Sequence, residues 1–252
     1  MISMSNLVEL SALEQSLGKR IFPLHLNWDS AKGDLHEESG PPNLPNLFFA
    51  AGQDYDANVE RDTGEIFVLK CDENGFYKGI WVDPSDPYGK AILSDDYETA
   101  AEIADARLQE DPDNPHFLFE KAYAISEAGR DAEAVDIYET LLSIDPNNSS
   151  AMNNLALSLH AVGRMNEAHS MHQKAAKLAP NDILIQGNLA RSYLINGNMT
   201  AYTQQIERVL AMHPRNLEDR LALHNFKKDT GISSANELHA PAHDGAPHFN
   251  QH

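Results

Sequence analysis

The sequence predicts a mostly α-helical chain. It reads as an α-solenoid of three full helix-hairpin repeats, with a preceding half repeat and a following capping helix, joined to a small N-terminal α+β segment containing a β-hairpin. Three observations predict this. Prolines recur in equal steps at Pro112, Pro146, Pro180 and Pro214. Glycines at Gly129, Gly163 and Gly197 keep the same register, each standing midway between two of those prolines. Small residues recur with them, at Ala122, Ala156 and Ala190 and again at Ala134 and Ala168. A fixed period of about 34 residues marks stacked supersecondary units.

Taken in order, residues 1–94 have a grammar of their own. Leu7 to Leu17 has helical spacing and stops at Gly18, which predicts a helix. A stretch rich in Pro, Gly, Asn and acids follows to about residue 62. Glu65 to Lys70 (EIFVLK) and Phe76 to Val82 (FYKGIWV), separated by C-D-E-N-G, read as a β-hairpin. WVDPSDPYGK then reads as a turn-rich linker.

The solenoid is expected over residues 95–230. Asp95 to Glu110 has the spacing of a second helix and ends in D-P-D-N, so it reads as a half repeat. The full repeats are 115–148, 149–182 and 183–216. In each, a first helix runs to the glycine, which can take the left-handed conformation that ends a helix. A second helix then runs to the proline, whose missing N–H and fixed φ prevent continuation. Leu217 to Lys228 reads as a capping helix, with Leu217, Leu221 and Leu223 turned inward. Residues 231–252 form a His-rich tail of disordered composition.

These residues resemble the tetratricopeptide repeat (TPR) family. Ala122, Gly129, Ala134, Tyr138 and Pro146 match its pattern in the first repeat, and Leu155, Ala156, Gly163, Ala168, Ala175 and Pro180 in the second. The third keeps Leu189, Ala190, Tyr193, Gly197 and Pro214. Three departures stand out. Tyr202 replaces a small residue, which predicts a splayed or repacked third hairpin. Lys121 replaces a leucine, its stem expected to pack while its head reaches water. His172 replaces a bulky apolar residue and is expected to be a hydrogen-bonded core histidine.

The resemblance implies a concave face lined by the first helices, on which an extended peptide or a helix binds. In this sequence the partner-binding positions are Phe119, Tyr123, Asn153, Asn154, Leu157, His160, Asn188 and Arg191. Asn154 and Asn188 fall one repeat apart. Two amides so placed can donate to and accept from a peptide backbone, or can bind water or a neighbouring helix instead. Phe119 and Tyr123, one turn apart, offer an apolar anchor. The lysines and arginines with which some TPR domains hold a chaperone C-terminus are replaced here, Arg191 being the clear positive charge, so that subtype is not expected.

Charge narrows the partner further. Residues 95–148 carry 15 acidic and 3 basic side chains, within a chain of net charge −19. Such a surface repels phosphate backbones, so nucleic acid is not an expected partner; the acidic block reads first as a solvated face and, as the alternative, as a surface that steers a basic protein or peptide. No apolar run long enough to span a membrane and no signal-like N-terminus is present, which gives a cytoplasmic expectation. The lone Cys71 cannot form an internal disulfide.

Chemistry of its own is not expected. No phosphate loop, nucleophile elbow or zinc-protease motif occurs. Asp54 to Glu65 places oxygen-bearing side chains much as a calcium loop does, but Val59 stands where the sharp turn needs glycine and a strand-like segment follows. It reads as a solvated acidic turn. His239, His243, His248 and His252 lack any element to fix a metal geometry. The chain is therefore expected to be a non-catalytic adaptor or co-chaperone without cofactors or bound metal. Two alternatives stay open: a neutralising or secretion-type chaperone for a basic effector, and a metal-dependent or enzymatic N-terminal segment regulated by the repeats.

Overall fold

The computed structural model describes residues 22–29, 34–39, 47–51, 66–71, 76–83, 85–215 and 217–232. The chain divides into two compact units, Pro87–Ile206 and Met1–Asp86 together with Glu207–His252.

The first of these is a run of antiparallel helices. They are α1 Pro87–Leu93, α2 Tyr97–Glu110, α3 Pro115–Glu127, α4 Asp131–Ile144, α5 Ser149–Ala161, α6 Met165–Leu178, α7 Ile183–Ile195 and α8 Met199–Leu210, the last crossing the unit boundary. The predicted hairpins are thus α3–α4, α5–α6 and α7–α8. Every turn inside a hairpin has the same build. At Gly129 (φ 78°), its N–H donates to the carbonyl of Ser126 and the N–H of Arg130 to that of Ile125. Gly163 and Gly197 repeat both bonds. This paired pattern satisfies carbonyls that a helix end would leave open, and it needs a left-handed residue.

The linkers between repeats have an equally regular cause. Asn114, Asn148 and Asp182 cap the next first helix, accepting from the backbone N–H of His116, Ala151 and Ile185. Asn114 and Asn148 also donate to Asp111 and Asp145 across the intervening proline. The D-P-x-N words are therefore stop and start signals held in one turn.

Two periodic features extend beyond the predicted repeats. Asp95, one full period before Gly129, has φ 60°, and the N–H groups of Asp95 and Asp96 bond back to Ile92 and Ala91. The half repeat is thus preceded by a shortened first helix, α1, where a turn-rich linker was expected. At the other end Gly231 (φ 66°) keeps the register after α9, Leu217–Thr230.

The interior is built from the small residues the period singled out. Ala122, Ala134, Ala156, Ala168 and Ala190 are buried, with Leu141, Ile125, Leu155 and Leu159 filling the space between. Tyr202 is buried too, so the third hairpin takes in a ring where its predecessors hold alanine. Lys121 pairs with Asp105 at 2.6 Å while its stem is largely covered, as its placement predicted.

In the other unit, strands β1 Phe22–Asp29, β2 Asp34–Ser39, β3 Leu47–Ala51, β4 Ile66–Cys71 and β5 Tyr77–Val82 form a sheet in the order β2-β1-β3-β4-β5. β1 and β3 run parallel and the other neighbours antiparallel. The expected hairpin is β4–β5, registered from Ile66↔Val82 to Cys71↔Tyr77. β1, β2 and β3 fall in the stretch read only as rich in Pro, Gly, Asn and acids, for which no strand was expected. The alternation Phe22, Leu24, Leu26, Trp28 is a strand signal obscured by Pro23. Helix α9 contacts the two edge strands, β2 and β5, and Lys228 sits 5.5 Å from the centre of the Phe76 ring. Edge strands leave backbone groups open to strand addition, and a helix against them reduces that exposure. The predicted helix at 7–17, the acidic loop at 54–65 and the tail histidines lie outside the described residues.

Candidate functional site

The first helices α3, α5 and α7 bring the predicted binding positions onto neighbouring elements. Their side chains form three groups of different chemistry.

On α3 the group is aromatic and acidic. Phe119 stacks parallel to Tyr123, with ring centres 6.5 Å apart, and meets buried Tyr138 edge-on at 6.0 Å. Burial, together with the carboxylates of Glu127 and Asp95, pushes the Tyr123 hydroxyl well above its ordinary range. Tyr97 is held protonated in the same way, by burial and by the bond its hydroxyl donates to Asp95 at 2.7 Å. Beneath lies Glu120, whose carboxylate accepts from Arg107 Nη1 at 2.7 Å and whose backbone carbonyl accepts from the Tyr88 hydroxyl at 2.8 Å. The Arg107 guanidinium lies 5.7 Å from the ring centres of both Tyr88 and Phe117. Such an ion pair, with its arginine between two rings, joins α2 to α3 through charge and cation–π attraction.

On α5 and α7 the group is a chain of amides. Asn188 Nδ2 donates to Asn153 Oδ1 at 2.9 Å, and Asn153 Nδ2 to Asn154 Oδ1 at 3.3 Å. Asn154 is in turn the side-chain hydrogen-bond partner of the Tyr138 hydroxyl. Sequence reasoning placed all three asparagines on this face and left open whether they bind a ligand or a neighbouring helix. The structure bonds them to one another and to the preceding repeat. Asn153 is buried at the centre, while Asn154 and Asn188 remain half-exposed. Among the described residues, Asn188 uses one of its two N–H groups and neither lone pair of its carbonyl.

The third group is cationic and histidine-rich. Leu157 and Arg191 are exposed, and His160 is half-buried with Nε2 in the interior. Buried His172 of α6 lies close by. Burial first, then His160, His169 and Arg191, lower its pKa to about 4. The hydrogen-bonded core histidine expected there is in the core, but among the described residues its Nδ1 has no partner, and neither has His160 Nε2. His169, by contrast, pairs Nδ1 with Ser192 Oγ and packs edge-on against Tyr193 at 5.0 Å. Among the described residues no group of three or more His, Cys, Asp or Glu is arranged to hold a metal. No described helix is long and apolar enough to cross a membrane.

Sequence reasoning missed Tyr138 as a member of this face. Glu120, Asn154 and Asn188 stand one period apart, and the register places all three on the first helices of successive repeats. Tyr138 was assigned to packing, and nothing in its repeat position signals that its hydroxyl reaches the next repeat.

Left-handed turns kept in one register and paired helices bonded across each boundary define a solenoid of helix-hairpin repeats. Its particular class follows from residues 91–157, which match the family described as tetratricopeptide repeat. A sequence comparison with curated proteins gives no match. Among solved structures, MamA (residues 41 to end) from Desulfovibrio magneticus RS-1 is similar at 17% identity, over 48% of this chain and 69% of that one, with a TM-score of 0.46. Another MamA crystal structure is similar at 16% identity over 61% and 88%, with a TM-score of 0.48. The first TPR of Spaghetti (RPAP3), bound to the HSP90 peptide SRMEEVD, is similar at 17% identity over 44% and 87%, with a TM-score of 0.42.

Proposed function

We propose that the solenoid is a non-catalytic protein-interaction module, an adaptor or co-chaperone that holds an extended peptide or a helix of its partner on the face of α3, α5 and α7. The observation that carries this reading is the amide chain. Asn153 is consumed in fixing its neighbours, which leaves Asn188 with an oriented carbonyl and a spare N–H at the surface. Amides pre-positioned in this way can pair with a peptide backbone without the cost of ordering them on binding. Phe119 and Tyr123 supply the apolar anchor, and Leu157, His160 and Arg191 the remaining contacts.

A selection of short peptides from a random library on the full chain tests the reading. Selected peptides should bind Asn188→Ala about tenfold more weakly and Phe119→Ala/Tyr123→Ala weaker still by titration calorimetry. Peptides that bind these variants as tightly as the parent would place the interaction elsewhere.

One observation favours a second, narrower reading, in which the partner is a basic protein held for neutralisation or delivery. Asp95, Glu127 and Asp131 surround the rings of Tyr97, Tyr123 and Tyr138 in the most acidic stretch of the chain. Carboxylates beside aromatic faces suit a lysine or arginine side chain. Under this reading the selected peptides are enriched in Lys and Arg, and their affinity falls steeply with salt.

A further inference from the structure

The most unusual residue of the array is His172. The same place in successive repeats holds Ala104, Tyr138, His172 and Ile206, all buried. Alanine and isoleucine ask nothing of their surroundings, and Tyr138 has Asn154. Among the described residues, His172 Nδ1 has nothing to bond inside the protein, on helix α6, which packs against α5 and α7. The titratable and charged groups that act on it come from all three helices: His160 on α5, His169 on its own helix α6, and Arg191 on α7. None is an acid.

We propose that the seam between the second and third repeats is an acid-operated hinge, closed while His172 is neutral and opened by its protonation. An imidazolium there would lie buried without a counter-charge, facing an arginine and two further imidazoles. Removing it to water requires α6 and α7 to part. The Asn153–Asn188 bond and the contact of His169 with Ser192 cross this same seam and would be lost with it. The hinge does not depend on what the module binds. Where the proposed peptide-binding face is correct, opening also divides that face between its second and third repeats.

The direction with pH follows from the burial of the ring. The folded-state pKa of about 4 lies below the ordinary 6.5, so closure is favoured in full above pH 6.5 and is lost as pH falls toward 4. Between pH 7 and pH 4 the opening equilibrium should rise roughly a hundredfold.

Hydrogen exchange on the full chain, corrected for intrinsic rates and read by helix, tests this. Amides of α6 and α7 should lose protection by that factor on acidification while those of α3 and α4 change far less. His172→Phe should abolish the difference. Should that variant not fold, Arg191→Gln offers the second arm: it removes a like charge and should shift the opening transition to lower pH. Equal acid sensitivity in all repeats, an unshifted transition in Arg191→Gln, or a His172 ring titrating near 6.5 by NMR would each overturn the hinge.

Discussion

The first and second repeats share a backbone plan and differ in how they satisfy what they bury. Both end their first helix at a left-handed glycine and start their second from an arginine, Arg130 or Arg164. Inside, the first repeat holds a charged carboxylate against an arginine and a tyrosine against an amide. The second holds amides against each other and, among the described residues, leaves Nδ1 of His172 without a partner. Repeat architecture therefore fixes where side chains go but not whether their polar atoms are satisfied. That depends on which residue the adjoining repeat offers.

Three sets of substitutions would break or sharpen this contrast. The largest effect is expected at Glu120, whose side chain is 7% exposed. Glu120→Ala leaves Arg107 without its carboxylate and should cost about 3 kcal/mol by denaturant unfolding, with Glu120→Gln recovering part of it. An effect below about 1 kcal/mol would mean that solvent already screens the pair.

Next come Tyr138→Phe and His172→Phe, which remove polar atoms from the same place in two repeats. The first should destabilise by about 1 kcal/mol, because Asn154 loses one of its two partners. The second should be neutral or stabilising at pH 7, since no bond is lost, and should flatten the decline in melting temperature between pH 6.5 and 4. If the two variants lost equal stability at pH 7, the contrast between a satisfied and an orphaned site would fall.

The smallest pair concerns the turns. Gly163→Ala meets nothing within 4 Å of its new methyl group, so its cost is conformational and should be about 1 kcal/mol. Asp95→Gly relieves a non-glycine residue at φ 60° but gives up the acceptor of the Tyr97 hydroxyl. A net gain of about 0.5 kcal/mol is expected, read as a small rise in melting temperature.

How much of this was legible follows from the same contrast. Pro112 to Pro214 and Gly129 to Gly197 announce helix ends directly, because these residues restrict the backbone without reference to anything distant. Asp95 and Gly231 carry the identical register but were passed over, the one for lacking glycine's identity and the other for lying beyond the last repeat proline. β1 to β3 were missed because Pro23 and the acids around residues 34–38 look like loop. The binding face could be named by position, yet the bond from Asn188 to Asn153 depends on side-chain rotamers in two separate helices. Burial of His172 could likewise be foreseen from its place in the repeat, whereas its missing partner depends on what the adjoining helices present.

One property of these bonds bears on how such a chain can be altered or inherited. Arg107 to Glu120, Ser126 to Ser158, Asn188 to Asn153, His169 to Ser192 and Gln186 to the carbonyl of Ala176 all join one repeat to the next. The repeats are alike in outline but keyed at their edges, as dominoes are. Exchanging two of them would preserve every helix and turn while mismatching the polar faces on both sides. The order of the repeats is thus written at their boundaries, and a duplicated copy would need new residues at its edges before its core changed at all.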